Sequence, residues 1–290
     1  MSCLEVLRPG PLCLVQDLGR PGRAGEGITL SGALDRTSLV QGNRLLGNTI
    51  GAPGLEMLFG GLAVRPDHDV LVAVTGAWCP LTIDDRAVPF GTPVLLRRGA
   101  VLALGRSEHG LRSYLTVRDG LTPAGEFGGS WSRDTSSGIG PDPVRAGDRI
   151  QVGAQRAGRP LVAAVLPAIQ PPGDVTLHLT PGPRPDLLSA ADRRALTTTT
   201  GTISADSDRI GLRLNGFTLH ATDADASSEA LPLGAVQASP SGELIVFLAD
   251  HPTTGGYPVV GVVDLPDLGV LAQCAPGKRV RFSLRPTPGY

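Results

Sequence analysis

Aromatic residues are scarce in this chain, at 4% of 290 positions, and its formal net charge is only -1. A nucleic-acid binder shows a basic face interleaved with stacking aromatics, so this balance argues against one. No apolar run approaches the ~18 residues that a membrane-spanning helix needs. The N-terminus, Met1-Ser-Cys-Leu-Glu-Val-Leu-Arg-Pro-Gly, lacks the basic start and long apolar stretch of a secretory signal. A cytoplasmic protein is the simplest expectation. Cysteine is equally sparse: Cys3, Cys13, Cys79 and Cys274 form no C-x-x-C pair, and none lies near a histidine at metal-ligand spacing. Free thiols and no structural metal are expected. The histidines at 68, 109, 178, 220 and 251 are scattered, and G-x-S-x-G is absent, which removes the nucleophile elbow of the serine hydrolases.

What the chain has in plenty is glycine, 39, and proline, 26. They are dispersed between short apolar runs and read as turns joining many strands. Val70-Leu-Val-Ala-Val-Thr, Pro93-Val-Leu-Leu, Ala100-Val-Leu-Ala-Leu, Ser113-Tyr-Leu-Thr-Val and Leu244 to Leu248 are short, rich in branched residues and bounded by breakers. They predict an all-β chain of barrel or sandwich type. Three stretches carry helix signals. One starts at Ser31 as cap and stops at Gly47, one runs from Pro185 to Leu196, and one opens at Asp264 with proline in its first turn.

A faint internal echo suggests two units. Ala146-Gly-Asp-Arg-Ile-Gln-Val and Pro276-Gly-Lys-Arg-Val-Arg-Phe share a Gly turn, a charged pair and an alternating strand, each reading as the last strand of a unit. The expected division is 1–160 and 170–290, with the boundary between about Gly153 and Gly173.

Four loops concentrate polar chemistry. Asp17-Leu-Gly-Arg-Pro-Gly-Arg-Ala-Gly-Glu-Gly can offer backbone N–H groups and positive charge to a carboxylate or phosphate, or be a glycine-rich turn; it is no P-loop. Asp208, Arg209 and Arg213 can form an anion site or a solvated turn before an alternating strand. Glu229 and Gln237 flank a turn, where Glu229 is either a general base or an ordinary surface acid. The fourth loop, Asp250-His-Pro-Thr-Thr-Gly-Gly-Tyr-Pro, follows the apolar strand ending at Ala249. Asp250 is therefore expected at a strand rim, with Gly255 and Gly256 permitting close approach to a ligand. Asp250 and His251 are adjacent and point apart in a strand, so they make no dyad.

The order of these segments is more specific than any one of them. Val15-Gln-Asp-Leu-Gly-Arg-Pro-Gly, Ser31-Gly-Ala-Leu-Asp, Asn43-Arg-Leu-Leu-Gly-Asn, Leu55-Glu, Thr75-Gly-Ala, Ser207-Asp-Arg-Ile-Gly-Leu-Arg-Leu, Ser228-Glu, Gly234-Ala-Val-Gln and Thr253-Thr-Gly-Gly-Tyr-Pro together resemble the biotin-dependent carboxyltransferase family. That family includes KipA, the C subunit of 5-oxoprolinase and the second subunit of allophanate hydrolase. The resemblance runs from about Leu4 to Phe282. It implies cyclophilin-like β-barrels, and the C subunit of an ATP-dependent complex opening 5-oxoproline to glutamate. The partners it implies are a KipI-like protein and a lactam-utilisation protein, with ATP as co-substrate. Two alternatives stay open: a carboxyltransferase acting with a biotin carrier on urea or another amide, and a non-catalytic binder of a KipI-like partner. The matching positions put Asp250, Tyr257 and Glu229 forward as catalytic. They put Gln16, Asp17, Arg20, Ser31, Asp35, Asn43, Asp208, Arg209, Gln237, Thr253, Thr254, Gly255 and Gly256 forward as substrate-binding. Arg20 or Arg209 would pair with the substrate carboxylate, and Asp250 or Glu229 would take a proton or accept the ring N–H.

Overall fold

The computed structural model describes residues 2–153, 157–161, 173–182, 188–219, 228–239 and 241–285. The chain forms two compact units, one of residues 1–20 and 31–170, the other of residues 21–30 and 171–290.

The first unit is built from β1 (Ser2–Pro9), β2 (Leu12–Gln16), α1 (Arg36–Leu46), β3 (Gly54–Leu58), β4 (Leu62–Pro66), β5 (Val70–Trp78), β6 (Leu81–Ile83), β7 (Arg86–Ala87), β8 (Val94–Leu96), β9 (Leu102–Leu104), β10 (His109–Val117) and β11 (Arg149–Val152). Two sheets result, in the orders β11-β1-β4-β9-β6-β7 and β2-β3-β10-β5-β8. Alternation decides which faces meet. Leu4 and Val6 of β1, Leu62 and Val64 of β4, and Leu102 and Leu104 of β9 share one buried cluster with Cys13, Val15, Leu55, Met57, Val72, Val74, Leu115 and Val117 from the other sheet.

The helix α1 covers the outer side of β5 and β10. Gly42 makes the approach possible: a Cβ there would lie 2.7 Å from Thr116 Oγ1. The helix starts one turn later than the sequence suggests. Its cap is Asp35, whose Oδ1 accepts from the Ser38 backbone N–H at 3.0 Å. Ser31 instead sits in the left-handed region at φ 51. Gly47, at φ 72, ends the helix as expected.

The second unit holds β12 (Asp174–Pro181), α2 (Ala190–Thr198), β13 (Gly201–Ile203), β14 (Gly211–Asn215), β15 (Glu229–Ala230), β16 (Ala235–Ala238), β17 (Leu244–Phe247), β18 (Thr254–Gly255), β19 (Val259–Val263), α3 (Leu265–Leu271) and β20 (Arg279–Leu284). Seven of these strands close a barrel in the order β12-β19-β16-β17-β14-β13-β20. Closure comes from a parallel pairing of β12 with β20, Asp174 opposite Arg279 through Leu179 opposite Leu284. The two echo segments are β11 and β20, and each pairs with the first strand of its own unit. β15 and β18 form a separate small ladder. The expected helix at Pro185 to Leu196 appears as α2, although residues 183–187 lie outside the described ones. Among the described residues no helix is long and apolar enough to cross a membrane.

Among the described residues the four cysteines form no disulfide. Burial pushes the Cys79 thiol up to about 11, and raises that of Cys13 further, with the Glu56 charge adding to burial there.

Candidate functional site

In the first unit the motif residues of β2 and its exit converge on one neighbouring stretch, residues 127–133. Gln16 is fully buried, and its Nε2 donates to the Arg133 carbonyl at 2.8 Å. Its Oε1 has no hydrogen-bond partner among the described residues. The Asp17 carboxylate accepts from Ser130 Oγ at 2.6 Å, Ser132 Oγ at 2.5 Å, the Trp131 N–H at 2.8 Å and the Gly19 N–H at 2.7 Å. Arg20 is 2% exposed. Its Nε donates to the Phe127 carbonyl at 3.0 Å and its Nη2 to the Ser132 carbonyl at 2.5 Å. Ser31 Oγ donates to the Arg133 carbonyl at 3.1 Å. These are groups that shape a loop, and the Arg20 guanidinium expected on a substrate carboxylate is turned to backbone oxygens.

Asp35 and Asn43 are committed to α1. Both Asp35 oxygens serve Ser38, through its N–H at 3.0 Å and its Oγ at 2.6 Å. Asn43 donates to the carbonyls of Ile50 and Ala52 and accepts from Asn48 Nδ2 at 3.0 Å. A network that sequence reasoning missed lies beneath them. Glu56, 4% exposed, accepts from the Leu34 N–H at 3.0 Å and from Tyr114 Oη at 2.7 Å, with Arg112 Nε 3.7 Å from its other oxygen. Burial, then the Glu56 and Asp35 charges, hold the Tyr114 hydroxyl well above its ordinary value. It therefore stays protonated, donating to Glu56 while accepting the Asp35 N–H at 2.8 Å.

In the second unit the central feature is a buried ion pair. Arg209 Nε donates to Asp250 Oδ2 at 2.9 Å and Nη2 to Oδ1 at 3.2 Å. The two side chains are 4% and 0% exposed. This corrects the expectation of Asp250 at a rim. β17 ends at Phe247, and the following turn folds Asp250 inward onto the Arg209 fork. Asp208 is exposed and closes its own turn, accepting from the N–H groups of Ile210 and Gly211 at 2.8 and 3.1 Å.

The remaining second-unit candidates cluster around β15 and β18. Glu229 pairs with Gly255 across the ladder, and its Oε1 accepts from the Val259 N–H at 3.1 Å. Gln237, 3% exposed, donates to the Tyr257 carbonyl at 2.6 Å. Thr253 uses its carbonyl to accept the Leu231 N–H. What the loop presents outward is Thr254, Gly256 and the Tyr257 ring, which is 47% exposed. Chemically this is a preset hydroxyl-bearing edge, stiffened by buried amide and carboxylate contacts on its inner side. Among the described residues no three His, Cys, Asp or Glu side chains gather to hold a metal ion.

The residues fixed in this way match known proteins over almost the whole chain. The family described as carboxyltransferase domain, subdomain A and B, matches residues 26–284. The chain belongs to this family. Two relatives named as the C subunit of 5-oxoprolinase, from Escherichia coli (strain K12) and Haemophilus influenzae, are 35% and 32% identical over 283 residues, covering 96% of this chain and 90% of each relative. The urea amidolyase of Saccharomyces cerevisiae is 24% identical, over 97% of this chain but only 16% of that protein. Among solved structures, TTHA0988 superposes with a TM-score of 0.86 at 35% identity, covering 98% of this chain. The urea amidolyase of K. lactis superposes with a TM-score of 0.90 at 26% identity, covering 97%. This carboxyltransferase-family chain spans 56% of the length of TTHA0988 and 18% of that urea amidolyase.

Proposed function

We propose that this chain is the C subunit of an ATP-dependent 5-oxoprolinase, a cytoplasmic hydrolase complex whose other members are a KipI-like protein and a lactam-utilisation protein. The observation that carries the reading is the span of the match. The two 5-oxoprolinase relatives align over 90% of their own length, whereas the urea amidolyase alignment is one segment of a far larger protein.

The reaction consumes 5-oxoproline, ATP and two waters and yields glutamate, ADP and phosphate. An amide carbonyl is a poor electrophile, so ATP serves to phosphorylate the lactam oxygen and make the carbon attackable by water. The first water adds to that carbon, its proton passes to the ring nitrogen, and the C–N bond breaks to leave an acyl phosphate; the second water releases phosphate and glutamate. The work left to protein groups is to hold the lactam, stabilise the phosphoryl-bearing oxygen and carry the proton from water to nitrogen. Tyr257 and Thr254 present hydroxyls suited to that oxygen. Glu229, half-buried, is the carboxylate of this loop suited to the proton, while Asp250 is withdrawn into its ion pair.

Reconstitution with the candidate KipI-like and lactam-utilisation partners, followed by assay of glutamate release from 5-oxoproline, tests the reading. ATP-dependent release that stops when this chain is omitted is the expected result. The second reading, a carboxyltransferase working with a biotin carrier, is favoured by the likeness to the K. lactis urea carboxylase at a TM-score of 0.89. Carboxylation of urea with a biotin carboxylase partner, and no glutamate release, would establish it instead. Tight binding to the KipI-like partner with neither activity would leave a non-catalytic regulator.

A further inference from the structure

The buried motif side chains of the first unit share one destination. Gln16 and Ser31 both donate to the Arg133 carbonyl, Arg20 to the Ser132 and Phe127 carbonyls, and Asp17 accepts from Ser130, Trp131 and Ser132. Burying a carboxylate and a guanidinium carries a desolvation cost that apolar residues would avoid. What these bonds achieve is a fixed backbone at Arg133.

The Arg133 side chain lies on the wall of a cavity of about 490 Å³, with Val15, Gly125, Gly140, Asp142 and Asp148 also lining it. Its Nη1 is occupied, donating to the Gly138 carbonyl at 2.8 Å, the Gly140 carbonyl at 3.4 Å and Asp142 Oδ1 at 3.1 Å. The opposite edge of the guanidinium is Nε with Nη2. Nε is buried with no hydrogen-bond partner among the described residues, an unfavourable state for a charged donor. That edge is the one that grips a carboxylate in a fork, and Arg209 grips Asp250 with the same two nitrogens. Arg133 keeps 17% of its side chain exposed. Asp148 lines the same cavity; its Oδ2 accepts from the Arg145 N–H at 2.7 Å, and Oδ1 is the acceptor suited to an amide N–H.

We infer that Arg133 is the carboxylate-binding residue of this chain, and that its cavity takes a small molecule carrying a carboxylate next to an amide N–H. Gln16, Asp17, Arg20 and Ser31 are its positioning residues. The identity of the ligand as 5-oxoproline rests on the proposed function; the carboxylate site itself does not.

The test uses the whole chain and an arginine-specific dicarbonyl reagent, with modified peptides located by mass spectrometry. 5-Oxoproline should protect Arg133 from modification, and glutamate should do so too. 2-Pyrrolidinone, the same lactam without its carboxylate, should not. In the Arg133→Lys variant, which keeps the charge and loses the fork, 5-oxoproline should bind at least about tenfold more weakly by titration calorimetry. The Asp148→Asn variant, altered at an exposed position, should bind more weakly than the parent while Arg133 remains protectable. Protection of a different arginine, protection by 2-pyrrolidinone, or no protection by either carboxylate would overturn the assignment, and so would an Arg133→Lys variant that folds and binds like the parent. If the complex releases glutamate while Arg133 stays unprotected, the site is wrong and the function stands. If Arg133 is protected and no complex releases glutamate, the site stands and the function is wrong.

Discussion

Asp250→Asn separates structure from chemistry in the second unit. The substitution keeps volume and removes one charge. It leaves the Arg209 guanidinium, 4% exposed, facing an amide that can offer a single acceptor oxygen where two stood at 2.9 and 3.2 Å. Removing one partner of a buried pair costs about 3–5 kcal/mol, because the surviving charge loses a close opposite charge where water does not replace it. For a unit of this size that corresponds to a fall of roughly 10–15 °C in melting temperature. Thermal denaturation of the full chain, followed by calorimetry so that two transitions can be resolved, measures it directly. The double variant Arg209→Met with Asp250→Leu removes both charges and should recover most of the loss, since apolar replacements of buried pairs are often neutral or better. An Asp250→Asn protein that melts at the parent temperature yet has lost turnover would refute this reasoning and restore Asp250 to the chemistry.

Three further outcomes are expected. The Asp67 carboxyl is held down to about 2 from an ordinary 3.8, first by the Cys3 backbone N–H at 2.7 Å, then by His68 and more weakly by Arg149. Its folded value is below its unfolded one, so its contribution is complete above pH 3.8 and disappears as the pH falls towards 2; the parent's melting temperature should drop more steeply across that window than that of Asp67→Asn, and equal slopes would contradict it. Tyr257→Phe should leave the melting temperature unchanged, because the ring is 47% exposed, and lower glutamate release by about tenfold, ~1.4 kcal/mol; parent-like turnover would make the loop a structural hairpin. Gly255→Ala would set a Cβ 2.7 Å from Gln237 Nε2 and 2.8 Å from Leu231 Cδ1, and the amide cannot retreat without losing its 2.6 Å bond to the Tyr257 carbonyl. A loss of about 1–3 kcal/mol in chemical denaturation is expected, and none would show that the amide moves freely.

Elements with strong periodicity are legible from the sequence alone. Val70 to Thr75, Ser113 to Val117 and Leu244 to Leu248 form β5, β10 and β17 with ends shifted by a few residues. The helix stop at Gly47 is legible because a left-handed cap favours glycine. The start expected at Ser31 falls at Asp35 because two oxygen-bearing cap residues stand four apart and sequence cannot say which one the N–H groups face. The candidate site is legible only as a set of positions. Pattern marks Gln16, Asp17, Arg20 and Asp250, yet apart from the Gly19 N–H on Asp17 the partners named above lie 41 to 117 residues away, so little that is local reveals that each faces backbone, a hydroxyl or an ion-pair partner. Arg133 escapes notice because Ser132-Arg-Asp-Thr-Ser-Ser-Gly has no periodicity; the available signal is an arginine set among turn-forming residues.

The polar content of the first unit's motifs follows from the poverty of the loop they hold. Residues 127–133 include Gly128 and Gly129, and among their apolar side chains Phe127 is 44% exposed while Trp131 packs against the core from its edge. Such a stretch has little hydrophobic burial with which to order itself. Fixing it costs on the order of 10 kcal/mol at about 1–2 kcal/mol per residue. The charge-assisted bonds from Asp17 and Arg20, at about 2 kcal/mol each, with the neutral ones from Gln16 and Ser31 at about 1, amount to a similar quantity. Order in this loop is therefore supplied by buried polar groups where packing cannot supply it. Their directional bonds fix the backbone of Arg133 to within the tolerance of a hydrogen bond, which apolar contacts do not. The same division holds in the second unit, where Gln237 and Glu229 grip the backbone at Tyr257 and Val259 and leave the tyrosine ring outward. In both units polar side chains that bond to backbone set the frame from which one neighbouring side chain, Arg133 or Tyr257, projects.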